Sequence, residues 1–390
     1  MKEKLLRFFT NYKIIFAIYI IVSALTALSK YKRGPLSYNN YLLYKSVFNH
    51  SLEKKNIFSL YPDLFFDSNH YGVFFGVLIA PFAMLPDGWG MVLWNVANVL
   101  VFLFAIYKLP FSNTQKSLFA WLCLQEYITA ALYFQFNVAL TGLLMLSAIY
   151  VLRGKEVRSS FALMIGFFVK IYGIVGLSAY FFMKNKWKFI LASLAFFIVF
   201  LVLPMFYSDV QFGLQSYVDW YQSLTEKNLS NQVLGTRQDY SVMGIFRRVS
   251  GDATLPSLAF IIPGLVLFLL PYLRTKQYQF PAFQIMILAS TLLFLVLFSS
   301  GSESPTYIIA VSGVMIWFLM QKKISKLDIG LLVFVVILTC FGFSDLFPKF
   351  VKEEYIMKYS LKALPCILVW LKIIYELLTR NFETDYKLTP

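Results

Sequence analysis

The residues of this chain with the most chemical capacity sit in short polar stretches between long apolar runs. The first stretch, 38–71, reads YNNYLLYKSVFNHSLEKKNIFSLYPDLFFDSNHY. It holds two nearby carboxylates (Asp63 and Asp67), both histidines of the chain (His50 and His70), the Asn39–Asn40 pair and Tyr71. Gln135 and Asn137 open a later apolar run, and Lys170 stands alone inside another. Arg237, Gln238, Asp239, Tyr240, Arg247 and Arg248 follow in a second polar stretch, and Ser302, Glu303, Ser304 and Pro305 form a short turn. A carboxylate beside two or three cations at a membrane surface suits one reaction in particular. A hydroxyl attacks an activated carbon whose leaving group is a phosphate. The carboxylate takes the hydroxyl proton as general base, and Lys and Arg stabilise the charge on the departing phosphate. No His, Cys and Asp spacing calls for a metal, and no cofactor is expected. There is no glycine-rich phosphate loop, so a nucleotide-bound donor is not expected, whereas a lipid-linked phosphate reached from within a bilayer fits.

Plainer roles compete for each group, and the residues alone leave them open. Asp63 and Asp67 could be solvated turn residues. Lys170 could snorkel to an interface, and Glu303 could cap the helix starting near Thr306. Gln135 and Asn137 could be interfacial, and the TRQD run an ordinary loop.

The elements that must position these groups are membrane helices. Of 390 residues, 59% are hydrophobic and 14% charged, and the mean hydropathy is +0.66. Soluble domains run at about 45–50% apolar and about 25% charged. The apolar runs recur from end to end at near-spanning length and do not alternate, which indicates an all-α polytopic membrane protein and excludes a β-barrel. The net charge of +15 is explained by Lys/Arg clusters between runs, as the positive-inside rule expects. Nucleic acid is therefore not an expected partner. Cys123, Cys340 and Cys366 fall in apolar runs without ligand spacing.

A bundle of 11 to 13 spans is expected, forming one integral domain over 1–390. Its polar stretches, 30–71, 206–254 and 344–358, share one face. Lys2, Lys4 and Arg7 place the N-terminus in the cytoplasm, with an uncleaved first helix over 13–28. Run 72–85 is short and broken by Pro81 and Pro86, so whether it crosses is open. Segment 159–183 lies between two basic clusters, Arg153/Lys155/Arg158 and Lys184/Lys186/Lys188. With both clusters cytoplasmic it must enter and return, as two short helices turning at Lys170. Irregular backbone at that depth is tolerated where it lines a cavity, and a lysine there is a functional candidate.

Taken in order, NNYLLYKSVF, LYPDLFFDSNHYGVFF, PFAMLP, FQFNVALTGLLML with RGKE, FFVKIYGIVGL with MKNKWK, and SESPTYIIA resemble glycosyltransferase family 87, also catalogued as domain of unknown function 2029. The resemblance covers roughly 39–317. It implies the GT-C superfamily fold and a polyprenyl-phosphate-sugar donor, typically polyprenyl-phosphate mannose. It also implies an inverting, metal-independent transfer on the outer face of the cytoplasmic membrane. A lipid or glycan acceptor is expected, and a monomer among membrane lipids. The family usually carries its base as an aspartate early in the first loop. Here Asn39–Asn40 occupy that place, and asparagine cannot take a proton. The base then falls to Asp67, Asp63 or Glu303, with Asp67 favoured because it directly precedes SNHYG. Lys170, Arg237, Gln135 and Asn137 match positions suited to donor phosphate and sugar. Asn39, Asn40, His70, Tyr71, Asp239 and Ser304 complete the expected substrate-binding set. A transporter or flippase of a lipid-linked or anionic substrate is the alternative, and a non-catalytic scaffold a third.

Overall fold

The computed structural model describes residues 9–235 and 237–389; Lys2, Lys4, Arg7 and Thr236 lie outside the described residues. The described chain is helical, with one isolated antiparallel bridge between Gln321 and Tyr386. Among the described residues, three helices are long and apolar enough to cross a membrane: Tyr12–Lys32, Asp87–Lys108 and Lys186–Phe206. Shorter apolar helices include Asn137–Leu152, Ile171–Phe182, Leu258–Leu273, Pro281–Leu297 and Ser304–Met320.

Local chemistry sets where several of these helices begin. Asn11 accepts from Lys13 N at the start of Tyr12–Lys32. Ser112 and Gln115 form a reciprocal capping box at the start of Asn113–Leu132, satisfying amides that have no intrahelical partner. The helix Tyr307–Met320 is the axis of the bundle, and every one of its residues is buried. A helix apolar on all sides can only be central or lipid-clad, and this one is enclosed by Pro281–Leu297, Asn113–Leu132 and Asn137–Leu152. Gly313 permits the closest of these approaches, since a Cβ there would lie 2.7 Å from Ala289 O. Small residues at such contacts are the usual means of tight helix packing in lipid. At the periphery, Lys186–Phe206 has only 17% of its apolar window buried and presents Trp187, Leu191, Leu194 and Ile198 outward. Unpartnered apolar surface on that scale belongs against acyl chains.

Segment 159–183 forms a helical pair with its break at Lys170. Glu156–Val169 is an α-helix, Lys170 is extended, and Ile171–Phe182 is a 3-10 helix. At about 1.5 and about 2.0 Å rise per residue the two arms reach roughly 21 and 24 Å. Each therefore covers most of a hydrocarbon core of about 30 Å. The 3-10 winding gives the second arm more reach than residue count suggests, which places Lys170 at the far end of the pair, outside the apolar arms.

The polar stretches hold more helix than hydropathy indicates. Stretch 30–71 contains Asn39–Leu52, stretch 206–254 contains Val210–Asn231 and Val242–Ser250, and stretch 344–358 is helical over Lys349–Val351 and Lys352–Met357. None of these segments is among the helices long and apolar enough to cross a membrane. Run 72–85 folds as Phe75–Ala83, nine residues with Pro81 inside, about 14 Å long and so short of a crossing.

Gly72 ties the first stretch to the helical pair. Its N–H donates to Val169 O at 3.0 Å, and a Cβ there would sit 2.0 Å from Phe168 O and 2.9 Å from the Trp220 ring. Gly72→Ala is expected to cost about 1–3 kcal/mol by overpacking, read as a lower thermal midpoint in detergent. An unchanged midpoint would mean that this contact yields freely.

Candidate functional site

The site is organised around the 299–306 turn, which links Pro281–Leu297 to the central helix. The second polar stretch is stitched to it: Asp239 N donates to Ser300 O (3.1 Å), Tyr240 N to Ser302 O (2.8 Å), and Tyr307 OH to Tyr240 O (2.7 Å). Asp239 holds a left-handed backbone (φ 54) and is clasped from below. Its carboxylate accepts from Arg247 Nη1 at 2.7 Å and Ser241 Oγ at 2.5 Å, and Arg247 also donates to Leu255 O and Ser257 Oγ. This buried clasp fixes the strand leaving Gln238, whose side chain hydrogen-bonds the Glu303 carboxyl.

Glu303 is half-buried yet densely surrounded by charged and polar groups. Desolvation raises its carboxyl above the ordinary value. Lys170, then Lys227 and the Gln238 hydrogen bond oppose that rise, and the Asp67 charge adds to it. Its backbone N–H donates to Thr306 Oγ1 at 3.2 Å.

Lys170 meets Glu303 through a polar network. Its ammonium donates to Asn137 Oδ1 at 2.8 Å, reaches Gln135 Oε1 at 3.5 Å, and stands 4.8 Å over the Tyr71 ring. Tyr71 OH donates to Gln135 Oε1 (2.9 Å) and is paired with Tyr44 OH at 3.1 Å. Asn137 Nδ2 turns back to Pro305 O and Thr306 Oγ1, each at 3.4 Å. Burial pushes the Lys170 ammonium down to about 8, with Glu303 acting against it.

His70 is held by Ser223 Oγ on Nδ1 (2.7 Å), and its carbonyl accepts from Trp220 Nε1. Burial, then Lys227, lowers its imidazole to about 4, so it is neutral at pH 7 and positions rather than charges the site. Ser223 and Trp220 lie on the buried stripe Gly213, Ser216, Trp220, Ser223 of Val210–Asn231. The same spacing continues to Lys227, which brings a second cation to Glu303.

The remaining expected residues fall at varied distances from this cluster. Asp67 is exposed, accepts from Ser68 N at 2.8 Å, and its charge acts on both His70 and Glu303. Asp63 is exposed, within the turn closed by Leu64 N and Tyr61 O. Asn39 is buried and accepts from Phe66 N (2.9 Å), leaving its Nδ2 without a partner. Asn40 donates to Tyr133 O. Arg237 is exposed, beside Tyr240.

Ser304 leads to a pair that the sequence reading passed over. Its Oγ accepts from Lys362 Nζ at 3.0 Å, and Lys362 is paired with Glu126 at 2.9 Å, both side chains no more than 1% exposed. The available signal was a lone acid and a lone base, each inside an apolar run. Two cavities open beside the second and third polar stretches, one of 630 Å³ along Asp345–Glu353 and one of 470 Å³ between Tyr240 and Lys358. Neither includes Glu303, so charge and hydrogen bonding identify the cluster, not concavity. Among the described residues no three His, Cys, Asp or Glu side chains gather as a metal site.

Comparison with known proteins bears on what this cluster serves. A search of curated proteins finds no match. Among solved structures, ArnT from Cupriavidus metallidurans in the apo state aligns over 94% of this chain and 76% of its own, at 14% identity and a TM-score of 0.42. The model of glycosyltransferase family 87 matches residues 69–300, more than half of the chain, a span holding His70, Gln135, Asn137, Lys170 and the second polar stretch. This chain belongs to glycosyltransferase family 87.

Proposed function

We propose that this membrane glycosyltransferase moves a hexose from a polyprenyl-phosphate sugar to a hydroxyl of a cell-envelope lipid or glycan, with Glu303 as general base and Lys170 and Lys227 as the phosphate-binding cations. The observation that carries this reading is a half-buried carboxylate with two lysines in electrostatic reach. In that reaction the acceptor oxygen attacks the anomeric carbon as its proton passes to the Glu303 carboxylate. The phosphate leaves with the bonding electrons, and the lysines neutralise its added charge. Attack opposite the leaving group inverts the anomeric configuration.

Glu303 is preferred here over Asp67. A base works best when its proton affinity approaches the working pH, and burial raises that of Glu303. Asp67 lies in water, where its charge raises the affinity of its neighbour. Two carboxylates with environments that differ in this way commonly divide the roles of base and electrostatic partner. The site is taken to face the non-cytoplasmic side of the cytoplasmic membrane, because basic clusters lie at the opposite helix ends.

The test is to incubate purified protein with a panel of polyprenyl-phosphate sugars and cell-envelope acceptors and to identify products by mass spectrometry. A new glycosidic product with release of polyprenyl phosphate is expected. Movement of the intact sugar lipid across a vesicle bilayer without bond cleavage would instead favour a flippase.

The pH profile is expected to be bell-shaped. Turnover rises as Glu303 ionises, through a value above the ordinary carboxyl one, and falls as Lys170 loses its proton near pH 8. Lys170→Arg is expected to move the alkaline limb upward, because guanidinium stays charged. An alkaline limb that does not move in this variant would remove Lys170 from the charged machinery.

A further inference from the structure

The 470 Å³ cavity shares the Tyr240 segment with the Glu303 cluster. Its wall includes Tyr240, Arg248, Glu353, Glu354 and Lys358. Its volume falls within the range of about 300–1,000 Å³ usual for small-ligand sites. It is joined to the Glu303 cluster by two short hydrogen-bonded connections. Tyr240 N is bonded to Ser302 O, the residue before Glu303. Arg248 Nη2 donates to the backbone carbonyl of Gln238 at 2.5 Å, and the Gln238 side chain holds the Glu303 carboxyl. Arg248 also donates to Met357 O (2.6 Å) and lies 4.9 Å over the Tyr240 ring, so it closes the wall between the second and third polar stretches.

In the cavity, the cations Arg248 and Lys358 are matched by the carboxylates Glu353 and Glu354. Lys358 and Glu354 are 3.3 Å apart, an exposed pair that contributes little to stability and remains available to a ligand. A wall with balanced charge, offering donors and acceptors together along an aromatic residue, suits a neutral polyhydroxylated molecule.

We propose that this cavity is the acceptor subsite and holds the sugar portion of a neutral glycan acceptor, its reactive hydroxyl directed past Tyr240 and Gln238 toward Glu303. The proposal rests on the reading of Glu303 as the transfer site. It makes the acceptor's recognised part a saccharide and not a charged lipid headgroup.

Saturation-transfer NMR on the full chain in zwitterionic nanodiscs tests it. The probes are the methyl glycosides of mannose, glucose and galactose, with inorganic phosphate and glycerol phosphate as anionic competitors. At least one neutral glycoside is expected to bind wild type and Glu303→Gln alike. Affinity is expected to fall at least tenfold in Glu353→Gln/Glu354→Gln, whose side chains are exposed and dispensable for folding. The anions are expected not to displace the glycoside. The proposal is overturned if no neutral glycoside binds wild type, if the double variant binds as well as wild type, or if the anions compete. Glycoside binding that survives while no polyprenyl-phosphate sugar is consumed would refute the transfer reading, and with it the acceptor role, and leave the cavity a saccharide-binding site.

Discussion

Glu303→Gln is expected to lower sugar transfer by at least about 10²-fold, the scale on which a positioned base contributes, while leaving the protein as stable as before. The two halves of this expectation have one cause. Glutamine keeps the shape of the side chain and can still meet the Gln238 amide, but it cannot accept a proton. In the folded protein the carboxyl is raised above its ordinary value by burial. The fold therefore favours the protonated form, and the associated stability is present at low pH and lost as pH rises through the folded value. At pH 7 the neutral glutamine removes a penalty, so the thermal midpoint should hold or rise. Loss of both activity and stability would mark Glu303 as a structural cap. Asp67→Asn should be milder. It removes a charge that raises the proton affinity of Glu303, so its acid limb should shift to lower pH with turnover largely kept.

The second large effect concerns stability. Lys362→Met is expected to destabilise the protein by about 3–5 kcal/mol, because it strands the Glu126 carboxylate in the bundle interior. Lys362 is the cation paired with Glu126, whose Oε2 is already without a hydrogen-bond partner among the described residues. Lys362 also holds Ser304 Oγ and lies 5.1 Å from the Tyr307 and Phe343 rings, so the backbone under Glu303 loses an anchor in the same change. The double variant Glu126→Leu/Lys362→Met should regain most of the lost midpoint, since replacing a buried pair with apolar side chains is often neutral. Its turnover should stay below wild type, because the Ser304 anchor is still absent. A double variant no better than the single one would show that the pair is not what the interior needs.

The bundle was legible in the sequence because lipid imposes continuous apolar runs, and those runs became helices. The break at Lys170 was legible because two basic clusters bracket a segment of limited length. The helices within the polar stretches were not. The buried stripe of Val210–Asn231 consists of Gly213, Ser216, Trp220 and Ser223, small and polar except for the tryptophan. It carries no hydropathy signal, and Lys227 at its end went unnoticed. Asp67, Lys170 and Glu303 could be named as chemically able, but their grouping depends on backbone contacts such as Tyr240 N to Ser302 O, which no local pattern encodes. Asp239 shows the converse: a carboxylate between basic residues suggests a ligand contact, and it is fully used in a buried clasp with Arg247.

The most direct measurement compares single-turnover sugar transfer from a polyprenyl-phosphate sugar by wild type, Asp63→Asn, Asp67→Asn and Glu303→Gln, each at matched folded fraction. Product is expected from the first three at comparable rates, and at least about 10²-fold more slowly from Glu303→Gln. Product formed by Glu303→Gln at the wild-type rate would contradict the assignment of Glu303 as base.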